Sequence, residues 1–258
     1  MSIPILMYHE VGPVETLTEW YTVPTHKFRE QLEYLRDHDY QTVSLEQFRH
    51  SATHARGERK VIITFDDNNL CHHSVSTPIL VEFKFQATFF IVSSFLDTRK
   101  DMLSTTQLVQ MKRAGMSIES HSHTHRFLSD LNPADLRGEL EMSRRILGDR
   151  LQGEVRFISC PGGRYDRKVL DSALDAGYWG VCTSAPGLND FVRGHPPQTL
   201  DRFLVSATTP LETFAKIVSG DKGFVRNQVR RHRAKALVKG LLGNTTYDRL
   251  WRHFRRDI

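Results

Sequence analysis

Short apolar runs rich in β-branched and aromatic residues alternate along this chain with segments whose apolar positions recur every three or four residues. The runs fall at Ile3 to Tyr8, Val61 to Phe65, Ala87 to Val92, Ser117 to Ser120, Val155 to Ser159, Gly180 to Thr183 and Phe203 to Ala207, and their near-continuous hydrophobicity predicts buried strands. Between them the spacing predicts helices over Thr25 to Asp37, where Phe28, Leu32 and Leu35 share a face, and over Thr77 to Phe83, Ser104 to Ala114, Pro133 to Leu147, Arg167 to Ala176 and Leu211 to Val218. Strand and helix in alternation predict a parallel sheet or barrel. At 258 residues the chain has room for one large α/β barrel or two small domains.

Charge changes the picture at one place. The formal net charge is +5, yet residues 222 to 258 hold eleven Lys+Arg against two Asp+Glu, so the basic character belongs to the tail. A boundary is expected near Asp221, with a barrel over 1–221 and a basic, amphipathic helical extension over 222–258. Within the extension Val225, Val229, Leu237, Leu241 and Leu242 recur at roughly helical spacing, and Arg226, Arg230, Arg231, Arg233 and Lys235 crowd the same stretch. Two readings stand: a helix packed on the barrel with a solvated basic face, or contact with an anionic membrane surface. No nucleic-acid-binding motif accompanies the charge, so no nucleic acid partner is expected. Cys71, Cys160 and Cys182 contain no C-x-x-C pair and are expected reduced and mostly buried. The apolar start, Ile3 to Tyr8, is too short for a signal peptide or a span, which makes a cytoplasmic location the expectation, at the inner membrane surface under the second reading of the tail.

The chemistry concentrates at strand ends. Thr64-Phe65-Asp66-Asp67 closes one strand, His121-Ser122-His123-Thr124-His125 follows another, and Cys160-Pro161-Gly162-Gly163-Arg164 follows a third. In a barrel of parallel strands these are C-terminal ends, where catalytic loops converge. One of two adjacent carboxylates can bind a cation while its neighbour stays free to take a proton. Histidines at i and i+4 can turn both rings toward one point if the segment forms a helical turn. Taken alone, the Asp pair reads as a helix cap and the histidines as ordinary half-buried side chains; joined in order at strand ends, they read as a hydrolytic metal site. His72 and His73, beside Cys71, read as the start of the helix that leads to Pro78.

These motifs resemble the polysaccharide deacetylase family, also called the NodB-homology or carbohydrate esterase family 4 domain. The resemblance runs from Leu6-Met7-Tyr8-His9 through Thr64-Phe65-Asp66-Asp67 and His121-Ser122-x-x-His125 to Cys160-Pro161-Gly162-Gly163-Arg164-Tyr165. It implies a distorted (β/α) barrel with about seven parallel strands. It also implies one divalent metal ion, zinc first and nickel, cobalt or iron as alternatives, held by Asp67, His121 and His125. Asp66 is then the catalytic base, and the Pro161-Gly162-Gly163 turn supplies an oxyanion N–H, assigned to Gly162.

The chain departs from the family pattern at three points. Asn68 stands where Gly usually follows the Asp pair; Asn tolerates a left-handed turn. Ser159 and Cys160 replace the Arg that orients the base, so Arg164 is expected to supply that charge from the other side. No histidine occurs around Arg202-Phe203-Leu204-Val205, where the family's Leu-x-His places its general acid. His9 is the replacement candidate, against a reading in which it only hydrogen-bonds the loop after Asp67, and Glu10 either orients its ring or faces solvent. Trp20, Tyr165, Trp179 and Phe191 are candidates for sugar stacking, with buried packing the expectation for each.

The expected function is metal-dependent removal of an N-acetyl group from an amino sugar, in a nucleotide- or lipid-linked saccharide. Deformylation or cyclic-amide hydrolysis on the same fold, and a silent carbohydrate-binding module, are the alternatives.

Overall fold

The computed structural model describes residues 2–13, 19–50, 58–190 and 197–242. It begins with β1 (Ser2–Tyr8), buried at every position after Ser2. The short strands β2 (Glu10–Gly12) and β3 (Thr22–Pro24) pair with each other just beyond its end. Then come α1 (Thr25–Asp37), β4 (Tyr40–Thr42), α2 (Leu45–His50), β5 (Arg59–Phe65), a π-helical turn over His72–Ser76, and α3 (Thr77–Glu82). The remaining barrel units are β6 (Thr88–Ile91), α4 (Thr105–Arg113), β7 (Ser117–Ser120), α5 (Pro133–Leu151), β8 (Phe157–Ser159), α6 (Arg167–Asp175) and β9 (Gly180–Cys182). β10 (Leu188–Asp190), β11 (Thr199–Leu200), β12 (Phe203–Leu204), α7 (Leu211–Val218) and α8 (Lys222–Leu242) complete it.

Six strands, β1, β5, β6, β7, β8 and β9, run parallel in that order, with β10 antiparallel on β1. A single short segment supplies the seventh position. Thr199–Leu200 pairs with β9, and after a two-residue jog at Asp201-Arg202 the chain pairs with β1 through Phe203–Leu204. The jog therefore closes the barrel, and it delivers Arg202 to the barrel interior.

Alternation along the strands sorts the core into two parts. Ile5, Ile62, Phe90, Phe157 and Cys182 form one cluster with Leu45 and Phe48 of α2, while Leu6, Tyr8, Ile63, Phe65, Phe89, Ile158 and Val181 join the helices in the other. Local signals agree with this packing. Ser104 and Gln107 form a reciprocal capping box at α4, and the side chains of Asn132 and Asp166 accept from the third helical amides of α5 and α6; such caps contribute about 1 kcal/mol each.

Candidate active site

The three strand-end motifs meet at one mouth. Asp66 and His121 are 3% and 2% exposed, so both are held by protein rather than water. Asp67 and Asn68 take left-handed φ values of 80° and 54°, which turns the Asp67 carboxylate away from that of its neighbour. Asn68 keeps the turn by clasping Val92, donating to its carbonyl at 3.0 Å and accepting from its amide at 2.5 Å. Two non-glycine residues in this conformation cost about 1–3 kcal/mol each; the clasp is what holds them there.

The histidine segment is not the helical turn expected from its i, i+4 spacing. It is a loop with left-handed residues at Ser122 (φ 66°) and His125 (φ 65°). Glu139 on α5 fixes it, accepting from the amides of His123 and Thr124 at 2.9 and 2.8 Å and from the Thr124 hydroxyl. The Ser122 hydroxyl accepts from the His125 amide at 3.2 Å. Side-chain acceptors placed along the loop have replaced the helical ladder.

Within this frame Asp67 Oδ1 lies 3.1 Å from Nε2 of His121 and 3.1 Å from Nε2 of His125. One ligand atom from each residue falls within 4.8 Å of the others. His121 Nδ1 donates to the Ser159 carbonyl at 2.8 Å, which leaves the Nε2 lone pair facing Asp67. Asp67 Oδ1 is buried and has no hydrogen-bond partner among the described residues. A buried carboxylate oxygen facing two imidazole nitrogens is an uncompensated cluster unless a cation joins it. Two imidazoles and one carboxylate suit a divalent ion and leave positions open for other ligands. Burial raises the Asp67 pKa, but when no cation is bound and the rings carry the proton instead, His121 and His125 outweigh it and hold the carboxyl well below the usual range.

Asp66 has a different partner. Arg202, fully buried, donates from Nη1 to Asp66 Oδ1 at 2.8 Å and from Nη2 to Oδ2 at 2.9 Å. Its remaining N–H groups reach the Thr64 hydroxyl, the Ser159 hydroxyl and the Thr183 carbonyl at 3.2, 2.7 and 2.8 Å. All five guanidinium donors are thus satisfied. The Ser159 hydroxyl also donates to Asp66 Oδ2 at 3.0 Å. Burial pushes Asp66 up, yet Arg202, first among several charges, brings its pKa down to about 2.

Arg164 does not serve Asp66: its guanidinium lies over the Phe127 ring at 3.9 Å and 3.8 Å from Asp130. The arginine that the motif lacks arrives from the barrel-closing jog. Its one signal in the sequence was a charge beside the apolar Phe203-Leu204-Val205 run.

The Pro161-Gly162-Gly163 turn sits beside Phe127. Gly162 has φ 62°, and a Cβ there would stand 2.7 Å from Phe127 Cε1. Among the described residues the turn's own bonds use the amides of Gly163, to Cys160 at 2.8 Å, and Arg164, to Pro161 at 3.4 Å, not that of Gly162.

His9 also reaches the site, its Nε2 3.9 Å from Asp67 Oδ2 and its ring 5.1 Å from that of Tyr21. Burial lowers its pKa against the pull of Asp66 and Asp67. Glu10 neither orients that ring nor simply faces solvent; it accepts from Thr22 at 2.9 Å and Asn69 at 2.8 Å and ties β2, β3 and the Asp loop together. His72 begins the helical turn as expected, buried between Phe65 and Phe89 with Nε2 donating to the His9 carbonyl at 2.5 Å. Trp179 packs between Arg49 and Arg156. Trp20 and Tyr165, expected buried, are 46% and 39% exposed; Phe191 lies outside the described residues.

A parallel barrel with an Asp-His-His cluster that could hold a cation, and an arginine-held carboxylate beside it at the C-terminal mouth, has the architecture of a hydrolase barrel. The family model described as polysaccharide deacetylase matches residues 53–181, half of the chain. YxkH of Bacillus subtilis (strain 168), named as a candidate polysaccharide deacetylase, is 30% identical over 188 residues, or 72% of this chain and 66% of that protein. The chain belongs to the polysaccharide deacetylase family. The poly-beta-1,6-N-acetyl-D-glucosamine N-deacetylase of Staphylococcus aureus (strain MRSA252) is 30% identical over 171 residues, 61% of this chain and 59% of that one. The chain thus spans less than two thirds of the length of either relative. Among solved structures, the deacetylase PplD of Streptococcus pyogenes in complex with acetate superposes with a TM-score of 0.77 at 26% identity, over 84% of this chain and 98% of that chain. A de-N-acetylase from Aggregatibacter actinomycetemcomitans shares the fold, with a TM-score of 0.75 at 19% identity over 84% and 100% of the two chains.

Proposed function

We propose that the protein is a metal-dependent hydrolase that removes the N-acetyl group of an amino sugar within a saccharide. The observation that carries this reading is the unpartnered, buried Asp67 Oδ1, 3.1 Å from two imidazole nitrogens and one residue from a carboxylate committed to Arg202. Asp67, His121 and His125 would hold one divalent cation; zinc suits this donor set best, and nickel, cobalt and iron also fit. When bound, the cation supplies Lewis acidity toward the acetyl carbonyl and a more acidic water.

The chain's own residues divide the remaining work. Asp66 stays ionised near neutral pH and takes the proton of the attacking water. With both oxygens aimed by Arg202, it is a directional acceptor rather than a strong base. The Gly162 amide donates to the developing oxyanion, a contact of about 3–4 kcal/mol in the transition state. His9 gives a proton to the departing amine; burial lowers its pKa against the pull of Asp66 and Asp67, which makes the charged ring a ready proton donor.

The name of the Staphylococcus aureus relative supports an N-acetylglucosamine-containing substrate. Asp66→Asn is the test: acetate release from N-acetylglucosamine oligomers should be abolished while bound metal is retained. Turnover in that variant would remove Asp66 from the base role.

A further inference from the structure

The outer face of α8 carries charge that the site above does not use. Residues 222–242 contain seven Lys+Arg and no Asp or Glu. Phe224 and Val225 pack the helix onto the core. Phe224 and Gln228 also line a cavity of about 290 Å³ with Ser184, Arg202 and Thr209. Away from that contact, Arg226, Arg230, Arg233 and Leu237 follow one another at i, i+4, i+7 and i+11, so they form a single stripe about 16 Å long. All four are exposed, Leu237 by 70%. Among the described residues no side-chain hydrogen bond or ion pair engages the three arginines.

The other surface helices are built differently. α5, α6 and α7 each set opposite charges at i, i+4: Arg137 with Glu141, Arg167 with Asp171 and Glu212 with Lys216. On α8 the i, i+4 neighbours Arg226 and Arg230 repel instead. A helix that accumulates one sign of charge and ends the stripe in a bare leucine is matched to an anionic surface with an apolar layer beneath it.

We infer that this stripe docks the protein on an anionic phospholipid surface. Guanidinium groups fork onto lipid phosphates, and Leu237 enters the boundary between headgroups and acyl chains. A nucleic acid presents phosphates too, but among the described residues the stripe has no aromatic platform for bases and sets Leu237 where bases would give nothing. Gly220, just before α8, meets Leu188, which pairs with Pro4 near the start of β1. Phe224 and Gln228 meet Ser184 and Thr209, beyond the ends of β9 and β12. α8 therefore climbs toward the catalytic mouth, and docking brings that mouth to saccharides displayed at the membrane. This last step rests on the deacetylase reading; the docking does not.

The experiment is co-sedimentation of the full chain with phosphatidylcholine vesicles, with and without phosphatidylglycerol, beside a DNA duplex. Binding is expected only with phosphatidylglycerol and should weaken as salt rises. Combined Arg226→Gln, Arg230→Gln and Arg233→Gln should lower partitioning about 100-fold, and Leu237→Ser about tenfold, with hydrolysis of a soluble activated acetate ester unchanged. Equal binding to neutral vesicles, undiminished binding by the triple variant, or tighter binding to the duplex would each overturn docking. Failure of the wild type to hydrolyse the ester would count against the deacetylase reading alone, since the vesicle result decides docking separately.

Discussion

Arg202 and Asp66 form a two-pronged ion pair, 2.8 and 2.9 Å, inside the barrel mouth. Arg202 comes from the jog that pairs with β9 on one side and β1 on the other, so closing the barrel and orienting the Asp66 carboxylate are the work of one segment. The pair is buried on both sides, 0% and 4% exposed at the side chains, and neither member can lose the other without leaving a stranded charge.

Arg202→Met should therefore lower both stability and turnover. Stranding the Asp66 carboxylate costs about 3–5 kcal/mol, readable as a lower urea midpoint. Without the guanidinium, burial governs Asp66 and its pKa rises, so the acid limb of kcat/KM should move to higher pH with metal content unchanged. An unmoved acid limb would mean that Arg202 does not tune the base.

Gly162→Ala meets two obstacles, a Cβ 2.7 Å from Phe127 and a φ of 62° that disfavours any side chain. The turn must shift, and kcat should fall about 10²–10³-fold with KM little changed. Adding Phe127→Ala relieves only the contact, so most of the loss should persist. Full rescue would show that the Phe127 contact alone accounts for the defect.

His9→Ala should slow amide hydrolysis far more than hydrolysis of an activated ester, whose leaving group needs no proton, by at least about tenfold in the ratio. Comparable losses on the two substrates would take His9 out of the acid role.

His72 predicts a pH effect on folding. Burial lowers its pKa from 6.5 to about 4, so the unfolded chain binds the extra proton first. The contribution to stability is present above about 6.5 and is lost as pH falls toward about 4, at up to about 1.4 kcal/mol per unit. His72→Gln can still donate to the His9 carbonyl and should flatten that slope in urea titrations between those limits. An unchanged slope would assign the acid sensitivity to other groups.

Seven strands and six of the helices were legible because each lies within an apolar run or a helical spacing of the sequence, even where, as in β8, β9 and β12, only two or three residues of the run join the ladder. β2, β3, β4, β10, β11 and α2 were not, because no such run surrounds them and they are held by neighbours rather than by their own periodicity. The Asp67, His121 and His125 cluster was legible because the motifs sit at equivalent strand ends. Arg202 was not, since its role comes from a jog in the chain that no local spacing encodes. The shape of the histidine loop was hidden for a similar reason: its acceptor, Glu139, lies on the following helix. On α8, Val225 turns toward the core while Leu237 turns outward, so the expected apolar face is divided; the side chains of Leu241 and Leu242 lie outside the described residues.

The most direct test of the central claim is zinc titration of chelator-treated protein followed by elemental analysis, beside Asp67→Ala treated in the same way. One equivalent of tightly bound metal in the wild type, absent from the variant, is the predicted result. No metal in the wild type, or an equal amount in Asp67→Ala, would contradict a cation site built from Asp67, His121 and His125.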